Sequence, residues 1–289
     1  MKPKLLKISL TPQQSFGARL DSVPYFFNEW HFHPEIELVS IHNGTGTEFI
    51  GNSVQHFKPG DMILVGSGLP HLWRCDEKYF RSNSRLKAES IVIHFLPEVF
   101  GTAFLQLPEN KHINTLFEKA KHGLKIVKKT KAEVRDKMQQ LLHATDTARI
   151  ILLLEIIYTL SVSKDLKPVS SKDFELSFKQ NESERMNIIL QYIMKHFSKK
   201  ISLKEVSSLV HMSPESFCRY FKTRTKKTFS DFLLEVKINH ACKLLIETDK
   251  PISRICFESG FNNFSNFNRY FKKKTKKNPL DYRKSYLQT

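Results

Sequence analysis

The sequence predicts an α+β, multidomain protein: an N-terminal β-barrel with following helices, then an all-α C-terminal domain with two helix-turn-helix units. Short β-rich runs bounded by Gly, Asn or Pro fill residues 20–100, apolar residues recur at helical spacing from Asn110 onward, and the last third of the chain repeats itself. We therefore expect a barrel over 1–107, a helical segment over 108–162, a linker over 163–183 and a helix-turn-helix domain over 184–289.

The barrel prediction rests on runs such as 37–41, 46–50 and 61–65, which are rich in β-branched residues and separated by turn residues. Several short strands at this spacing are typical of a barrel or a sandwich. The helical segment contains an apolar stretch at 150–160 that is hydrophobic nearly all round, so we expect it to be buried in its own domain or against a second subunit. The linker mixes Ser, Lys, Asp and Pro without a sustained period.

Composition limits the class of protein. The chain has 289 residues, 40% hydrophobic and 26% charged, which excludes a wholly disordered chain. Its four cysteines form no CxxC pair, which favours a reduced, intracellular protein. The run at 150–160 is shorter than the ~20 apolar residues that span a bilayer. We therefore expect a soluble, cytoplasmic protein with no membrane partner.

The charge is concentrated at one end of the chain. The formal net charge is +17, and residues 184–289 hold 22 Lys and Arg against 9 Asp and Glu, a net +13. Such an excess indicates a polyanionic partner, with nucleic acid as the first candidate. A solvated lysine-rich surface is the simpler alternative.

The C-terminal third contains an internal repeat. Residues 217–222 (FCRYFK) match 267–272 (FNRYFK) at an offset of 50, and each copy predicts a short helix, a turn and a second helix that ends in basic residues. Helix starts are marked by a Ser202–Glu205 capping box and by Ser and Asn ahead of Pro214 and Pro279. Thr228 predicts the start of a helix of about 20 residues, or ~30 Å, close to the ~34 Å between successive major grooves.

The second helix of each copy has two different faces. Phenylalanines at i and i+4 point inward, and the residues left outside are Glu215, Cys218, Arg219 and Lys222 in copy one, and Ser265, Asn268, Arg269 and Lys272 in copy two. Arg pairs with guanine and Asn with adenine in the major groove, whereas lysines suit phosphates. A protein-interaction bundle with a solvated basic face is the alternative.

This segment resembles the DNA-binding domain of AraC/XylS-type transcriptional regulators over about 100 residues. The resemblance is carried by 241–245 (ACKLL), 252–255, 259–261 (SGF), 267–272 and 279–283. It departs from the family at Lys226 and Lys276, where Gly is usual.

The resemblance implies base contacts by Glu215, Cys218, Arg219, Phe264, Ser265, Asn268 and Arg269. Phe264 has two readings, a thymine-methyl contact or a core residue. The implied partners are double-stranded promoter DNA, a second copy through 108–162, and RNA polymerase if the protein activates transcription.

A polar motif lies early in the predicted barrel. In 30–38 (WHFHPEIEL) the residues alternate, which predicts one strand with His31, His33, Glu35 and Glu37 on one face. Together with His71, this stretch resembles the cupin pattern: His31, His33, Glu37 and Gly44 fit its first motif, and Gly60, Gly68 and His71 fit most of its second. Gly66 and Cys75 depart from it.

The cupin resemblance implies a pocket for a small-molecule effector, of unidentified chemistry, lined by Trp30, His31, His33, Glu35, Glu37, His71 and Trp73. It also implies a divalent metal held by His31, His33, Glu37 and His71, a set that suits Zn, Fe, Ni or Mn with open positions. The alternatives are a pocket without metal and a solvent-facing surface. Trp30 and Trp73 either stack on the ligand or belong to the core.

Three functions follow, and the first is favoured. The protein is expected to be a ligand-responsive transcription factor and not an enzyme. A metal-dependent cupin enzyme with a DNA-binding appendage is the second hypothesis. An architectural DNA-binding protein that needs no effector is the third.

Overall fold

The computed structural model describes residues 4–5, 14–171 and 183–287. The chain forms two compact units, one built from most of residues 3–177 and one from 178 onward. This agrees with the predicted α+β class, since the N-terminal unit is built on β-sheets and the C-terminal unit is helical. No helix in the described ranges is long and apolar enough to cross a membrane.

The N-terminal unit contains two sheets. The smaller is ordered β1-β3-β8-β5-β6 and the larger β11-β10-β7-β4-β9-β2. The strands are β1 Lys4–Leu5, β2 Gly17–Val23, β3 His31–Phe32, β4 Ile36–Asn43, β5 Gly46–Ile50, β6 Ser53–Phe57, β7 Met62–Val65, β8 His71–Cys75, β9 Ala88–Phe95, β10 Leu124–Ile126 and β11 Leu166–Pro168. The predicted strand runs at 37–41, 46–50 and 61–65 are confirmed.

The larger sheet is covered on its outer face by helices. Helices α1 Thr102–Gln106, α2 Lys111–Ala120, α3 Lys128–His143 and α4 Asp146–Val162 follow the barrel strands. Outward residues of the sheet such as Leu38, Leu64 and Ile93 form one core with Leu116 and Leu153 of these helices. The alternate residues of the same strands point inward, which is why six consecutive residues of β4 are buried.

Two predictions need correction here. The segment 108–162 is not wholly helical, because β10 lies within it and pairs with β7. The first part of the linker 163–183 is not irregular, because β11 pairs with β10. The long separation of these short strands explains both errors, since their own sequences carry no strand period. Residues 172–182 of the predicted linker lie outside the described residues.

Helix α4 is only half buried. Leu153, Ile156, Ile157 and Leu160 belong to the domain core, as predicted for an apolar helix. Its other face remains exposed, although it is also apolar: the residues are Ile150, Ile151, Tyr158 and Val162, at 44%, 52%, 55% and 55%.

The C-terminal unit is built of helices: α5 Ser183–His196, α6 Leu203–Leu209, α7 Pro214–Thr225, α8 Phe229–Glu247, α9 Ile252–Glu258, α10 Phe264–Thr275 and α11 Pro279–Leu287. Copy one is the pair α6–α7 and copy two the pair α9–α10. The Ser202–Glu205 capping box is present, and the Thr228 side chain caps α8 by accepting from the backbone N–H of Asp231. These local predictions are confirmed.

The two departures from the family pattern occupy left-handed backbone positions. Lys226 and Lys276 follow α7 and α10 with φ of 56° and 63°. This conformation brings Cβ of an L-residue close to its own backbone, so each lysine carries strain that glycine would avoid.

Candidate functional site

The polar motif of the N-terminal unit is bent rather than continuous. His31 lies on β3 and Glu37 on β4, while His33 lies in the bend between them. The single alternating strand predicted over this stretch is therefore wrong. Pro34 has no N–H to donate to a strand ladder, which accounts for the break. Glu35 does not join the others, and its carboxylate lies 3.5 Å from Nδ1 of His33.

Four of the predicted residues nonetheless converge. His31, His33, Glu37 and His71 are all buried, and one potential ligand atom from each lies within 4.8 Å of the others. We call these four the histidine–carboxylate cluster. His71 begins β8, opposite His31 in the antiparallel β3–β8 pair. The cluster therefore joins two sequence motifs through strand pairing between β3 and β8 and the bend into β4.

The backbone fixes which ring nitrogen faces the cluster. Each of the three imidazoles places Nδ1 against a main-chain carbonyl, at 2.8 Å from Glu29 O, 3.0 Å from Glu35 O and 2.7 Å from Leu69 O. A carbonyl only accepts, so each Nδ1 carries the proton and donates it. In a neutral ring Nε2 then presents a lone pair. Metal-binding histidines are commonly oriented by this kind of bond.

The charges in the cluster are shifted by burial and by their neighbours. Burial lowers the pKa of His31 and of His71, so both rings favour the neutral form. Burial opposes protonation of His33 too, but the hydrogen bond to Glu37 and the charges of Glu37 and Glu35 together outweigh burial and raise the pKa of His33. Burial would raise the pKa of Glu37, yet the facing imidazoles hold it well below its usual value.

Two of the three imidazoles of the cluster, those of His31 and His71, therefore favour the neutral form beside a buried carboxylate. Oε2 of Glu37 lies 2.8 Å from Nε2 of His33 and 3.3 Å from Nε2 of His71. The latter nitrogen is buried and makes no hydrogen bond of good geometry. A cation bound between the unprotonated Nε2 atoms and the carboxylate would satisfy these buried polar groups. The donor set therefore fits a divalent metal, with imidazole nitrogens and one carboxylate oxygen as ligands.

Sequence reasoning missed His94. Its Nδ1 lies 3.0 Å from Nη1 of Arg19, and a guanidinium only donates, so Nδ1 accepts and Nε2 carries the proton. Nε2 lies 2.8 Å from Oε2 of Glu37 and donates to it. His94 is thus a hydrogen-bond donor that orients the carboxylate. A lone histidine in the apolar strand β9 was the only signal, and its use depends on the pairing of Glu37 with His94 between β4 and β9.

A small cavity opens beside the cluster. Its volume is about 70 Å³, and of the predicted pocket residues His31, Glu37 and Trp73 line it, together with Arg19, Asp21 and His94. Trp30, His33, Glu35 and His71 are not among the residues lining this cavity. Both tryptophans are buried, at 5% and 6% exposure. Arg19 forms an ion pair with Asp21, 2.9 Å from Nε to Oδ1.

The predicted reading surface of α7 is exposed. Phe217 and Phe221 are fully buried and fix the orientation of the helix. The residues turned outward are Glu215, Cys218, Arg219 and Lys222, all exposed. Ser213 caps the helix by accepting from the backbone N–H of Ser216.

Helix α10 repeats this arrangement with different outer residues. Phe267 and Phe271 are fully buried, whereas Ser265, Arg269 and Lys272 are exposed and Asn268 is half-buried. Phe264 is 43% exposed, so it is not a core residue. Arg269 is held in place from two sides: Nη2 donates to Oδ1 of Asn266 at 3.2 Å, and the guanidinium lies 4.8 Å from the ring centre of Tyr270.

Known proteins resemble the chain in both units. Residues 14–144 match the family model of the AraC-like ligand binding domain, and residues 206–285 match a helix-turn-helix domain. The HTH-type transcriptional regulator YdeC of Bacillus subtilis is 26% identical over 269 residues, which is 88% of this chain and 85% of that protein. The HTH-type transcriptional activator RhaS of Klebsiella pneumoniae is 22% identical, over 88% of this chain and 86% of that protein.

A third relative matches a shorter part of the chain. The bifunctional transcriptional activator/DNA repair enzyme AdaA of Bacillus subtilis is 34% identical over 105 residues, which is 36% of this chain and 50% of that protein. The two family models thus match the N-terminal unit and the C-terminal unit in turn. The chain is a DNA-binding transcriptional regulator with an N-terminal AraC-like ligand-binding domain and a C-terminal helix-turn-helix domain.

Proposed function

We propose that the chain is a ligand-responsive regulator that reads promoter DNA with α7 and α10 in successive major grooves. The observation that carries this proposal is the repeated design of these helices. Each has a polar outer face and is held by two fully buried phenylalanines. Fixed helices with exposed Arg and Lys are what base and phosphate contacts require.

The spacing of the two helices supports the use of two grooves. Helix α8 connects the copies and has 19 residues, which is about 28 Å at 1.5 Å per residue. Successive major grooves on one side of DNA are ~34 Å apart. The net +13 of residues 184–289 supplies the charge that attracts the duplex.

For the N-terminal unit we propose a sensor site that holds a divalent metal. His31, His33, Glu37 and His71 would hold the ion, and the metal would supply open coordination positions to a small effector in the adjoining cavity. His94 keeps the carboxylate of Glu37 oriented, and Trp73 forms an apolar wall of the cavity. We propose no enzymatic step, and the effector acts by binding alone.

For dimerisation we propose the exposed face of α4. Four apolar side chains spaced along one helix, all more than 40% exposed, fit a matching face on a second copy. An activating role would add RNA polymerase as a partner. Residues 163–183 would then carry the effector signal between the units.

The DNA proposal is tested by selecting sites for the full chain from a random duplex library. We expect a recovered site with two different blocks, whose centres lie about one turn apart, roughly 10–10.5 base pairs. Affinity for this site should exceed that for random DNA and should fall steeply with salt. Recovery of no common sequence would contradict the proposal.

The metal proposal is tested by elemental analysis of the full chain, purified without chelator. We expect close to one divalent ion per chain, lost in His33→Ala and retained in the matched control His143→Ala, at the end of α3. Absence of metal from the wild type, even after dialysis against Zn, Fe, Ni and Mn, would leave these residues as the lining of a metal-free pocket.

A further inference from the structure

The C-terminal unit contains another cavity, which reaches the first turns of α10 at Asn266 and Tyr270. Its volume is about 320 Å³, within the range of small-molecule sites. It lies between α8, the start of α6 and the turn that enters α10. Most of its wall is apolar, formed by Ile201, Leu203, Phe229, Leu233, Leu234 and Tyr270.

One cationic side chain, that of Lys237, lies in this apolar wall. Lys237, half-buried in the middle of α8, donates from Nζ to the carbonyl of Gly260 at 2.7 Å and lies 5.8 Å from the ring centre of Phe261. Among the residues that the structure describes, no carboxylate lies within 4.0 Å of this ammonium. Other lysines of the same unit do have such partners, as Lys227 with Glu235 and Lys250 with Glu258. The lack of a counter-ion lets burial lower the pKa of Lys237.

The remaining polar side chains that line the cavity are Ser230, Asn262, Asn263 and Asn266. Oδ1 of Asn263 accepts from the backbone N–H of Asn266, and Oδ1 of Asn266 accepts from Arg269. Both amide oxygens are therefore used, while their NH2 groups remain as donors. No Asp or Glu lines the cavity. The cavity thus combines a cation and amide donors with aliphatic and aromatic side chains.

We propose that this cavity binds a small amphipathic carboxylate, with its anionic end at Lys237 and its apolar part against Leu233, Leu234 and Phe229. This goes beyond the function proposed above, which places the effector in the N-terminal unit. A DNA phosphate would also satisfy the cation. It has no apolar group to cover the walls, so the lining favours the organic anion.

The test uses titration calorimetry of the full chain with octanoate. We expect octanoate to bind the wild type, and acetate and the charge-reversed octylammonium to bind at least tenfold more weakly, because each lacks one half of the match. These comparisons need no variant. Equal binding of octanoate and octylammonium would overturn the proposal, as would failure of octanoate to bind at millimolar concentration.

Variants then locate the site. Lys237→Met should weaken octanoate at least tenfold, whereas Lys204→Met, an equal loss of charge at an exposed position of α6, should not. His33→Ala should bind octanoate as the wild type does, because the ligand is not in the N-terminal cavity. Octanoate binding that survives Lys237→Met but is lost in His33→Ala would overturn the assignment.

A DNA titration distinguishes the carboxylate site from the alternative in which Lys237 contacts a DNA phosphate. If Lys237 contacts a phosphate instead, Lys237→Met reduces the salt slope of binding to random DNA by about one, and the wild type does not bind octanoate. That result would refute the carboxylate site while leaving DNA binding intact. Failure of DNA binding with octanoate binding preserved would refute the proposed function alone.

Discussion

The two helix-turn-helix copies share a scaffold and differ in what they present. Helices α7 and α10 each have 12 residues, begin after a side-chain cap and end at a left-handed lysine. Outside, copy one presents Glu215 and Cys218 where copy two presents Ser265 and Asn268. The difference shows that the phenylalanine scaffold fixes the position of each helix without fixing the chemistry of its outer face, so the two copies present unlike surfaces.

The largest effect is expected when the shared phenylalanine core of either copy is truncated. Phe267→Ala and Phe217→Ala each remove a fully buried ring, and we expect each to cost about 3–5 kcal/mol of unfolding free energy. Urea denaturation followed by circular dichroism measures this. A cost near zero in one copy alone would break the comparison, because that copy would not depend on its phenylalanine core.

The difference between the reading surfaces is tested at the equivalent arginines. Arg269→Ala should cost about 1–3 kcal/mol of binding to the selected site and relax specificity at one base pair. Arg219→Ala should cost less, because Glu215 lies one turn away and competes for it, whereas Asn266 and Tyr270 hold Arg269 ready. Fluorescence anisotropy measures both, with the exposed Arg185→Ala on α5 as control. Unchanged affinity and specificity in Arg269→Ala would show that α10 does not read bases.

Removing the backbone strain at the two helix ends is expected to have a smaller effect, and this effect is an increase in the free energy of unfolding. Lys276→Gly and Lys226→Gly should each raise the unfolding free energy by about 1 kcal/mol. A left-handed conformation costs an L-residue about 1–2 kcal/mol, and the backbone entropy of glycine offsets part of the gain. Thermal unfolding measures this. The Lys→Ala variants at the same positions are the control, because they lose the charge but keep Cβ and therefore the strain. If they raise the unfolding free energy as much as the Gly variants do, the cause is the charge and not the strain.

The smallest effect is expected at Glu215. The pKa of Glu215 is lowered by hydrogen bonds to its own backbone and to Ser213, and also by Arg219, so this exposed group is ionised at neutral pH and repels DNA. Glu215→Gln should strengthen binding to random DNA by at most a few fold and free Arg219. Ser265→Gln at the equivalent position of copy two removes no charge and should leave that affinity unchanged. Weaker binding by Glu215→Gln would indicate that Glu215 accepts from a cytosine.

The C-terminal unit could be predicted closely because its signals are local. The Ser202–Glu205 box and the Thr228 cap lie within one helical turn of the backbone groups that they satisfy. The phenylalanine pairs mark the buried face by their spacing alone. The exposure of Phe264 could not be predicted from this spacing, because the sequence alone does not show what packs against the first turn of a helix.

The N-terminal site was only partly predictable because it depends on distant strands. The spacing of His31, His33 and Glu37 could be read from one segment, but His94 lies 57 residues from Glu37 and reaches it through the pairing of β4 with β9. Arg19 adds a third strand, β2, on the far side of β9. The bend at Pro34 also interrupts the strand that was predicted over this stretch, but the side chains of His31, His33 and Glu37 still lie together.

The histidine–carboxylate cluster owes its orientation to main-chain atoms. The three carbonyls that hold the imidazoles belong to Glu29, Glu35 and Leu69, but any amino acid at those positions would present the same oxygen. The direction of the nitrogen donors is therefore insulated from side-chain replacement nearby. Substitutions in the wall of the adjoining cavity can therefore change its shape and polarity without changing the direction of the nitrogen donors, so under the proposed function the choice of effector and the donor geometry can vary separately.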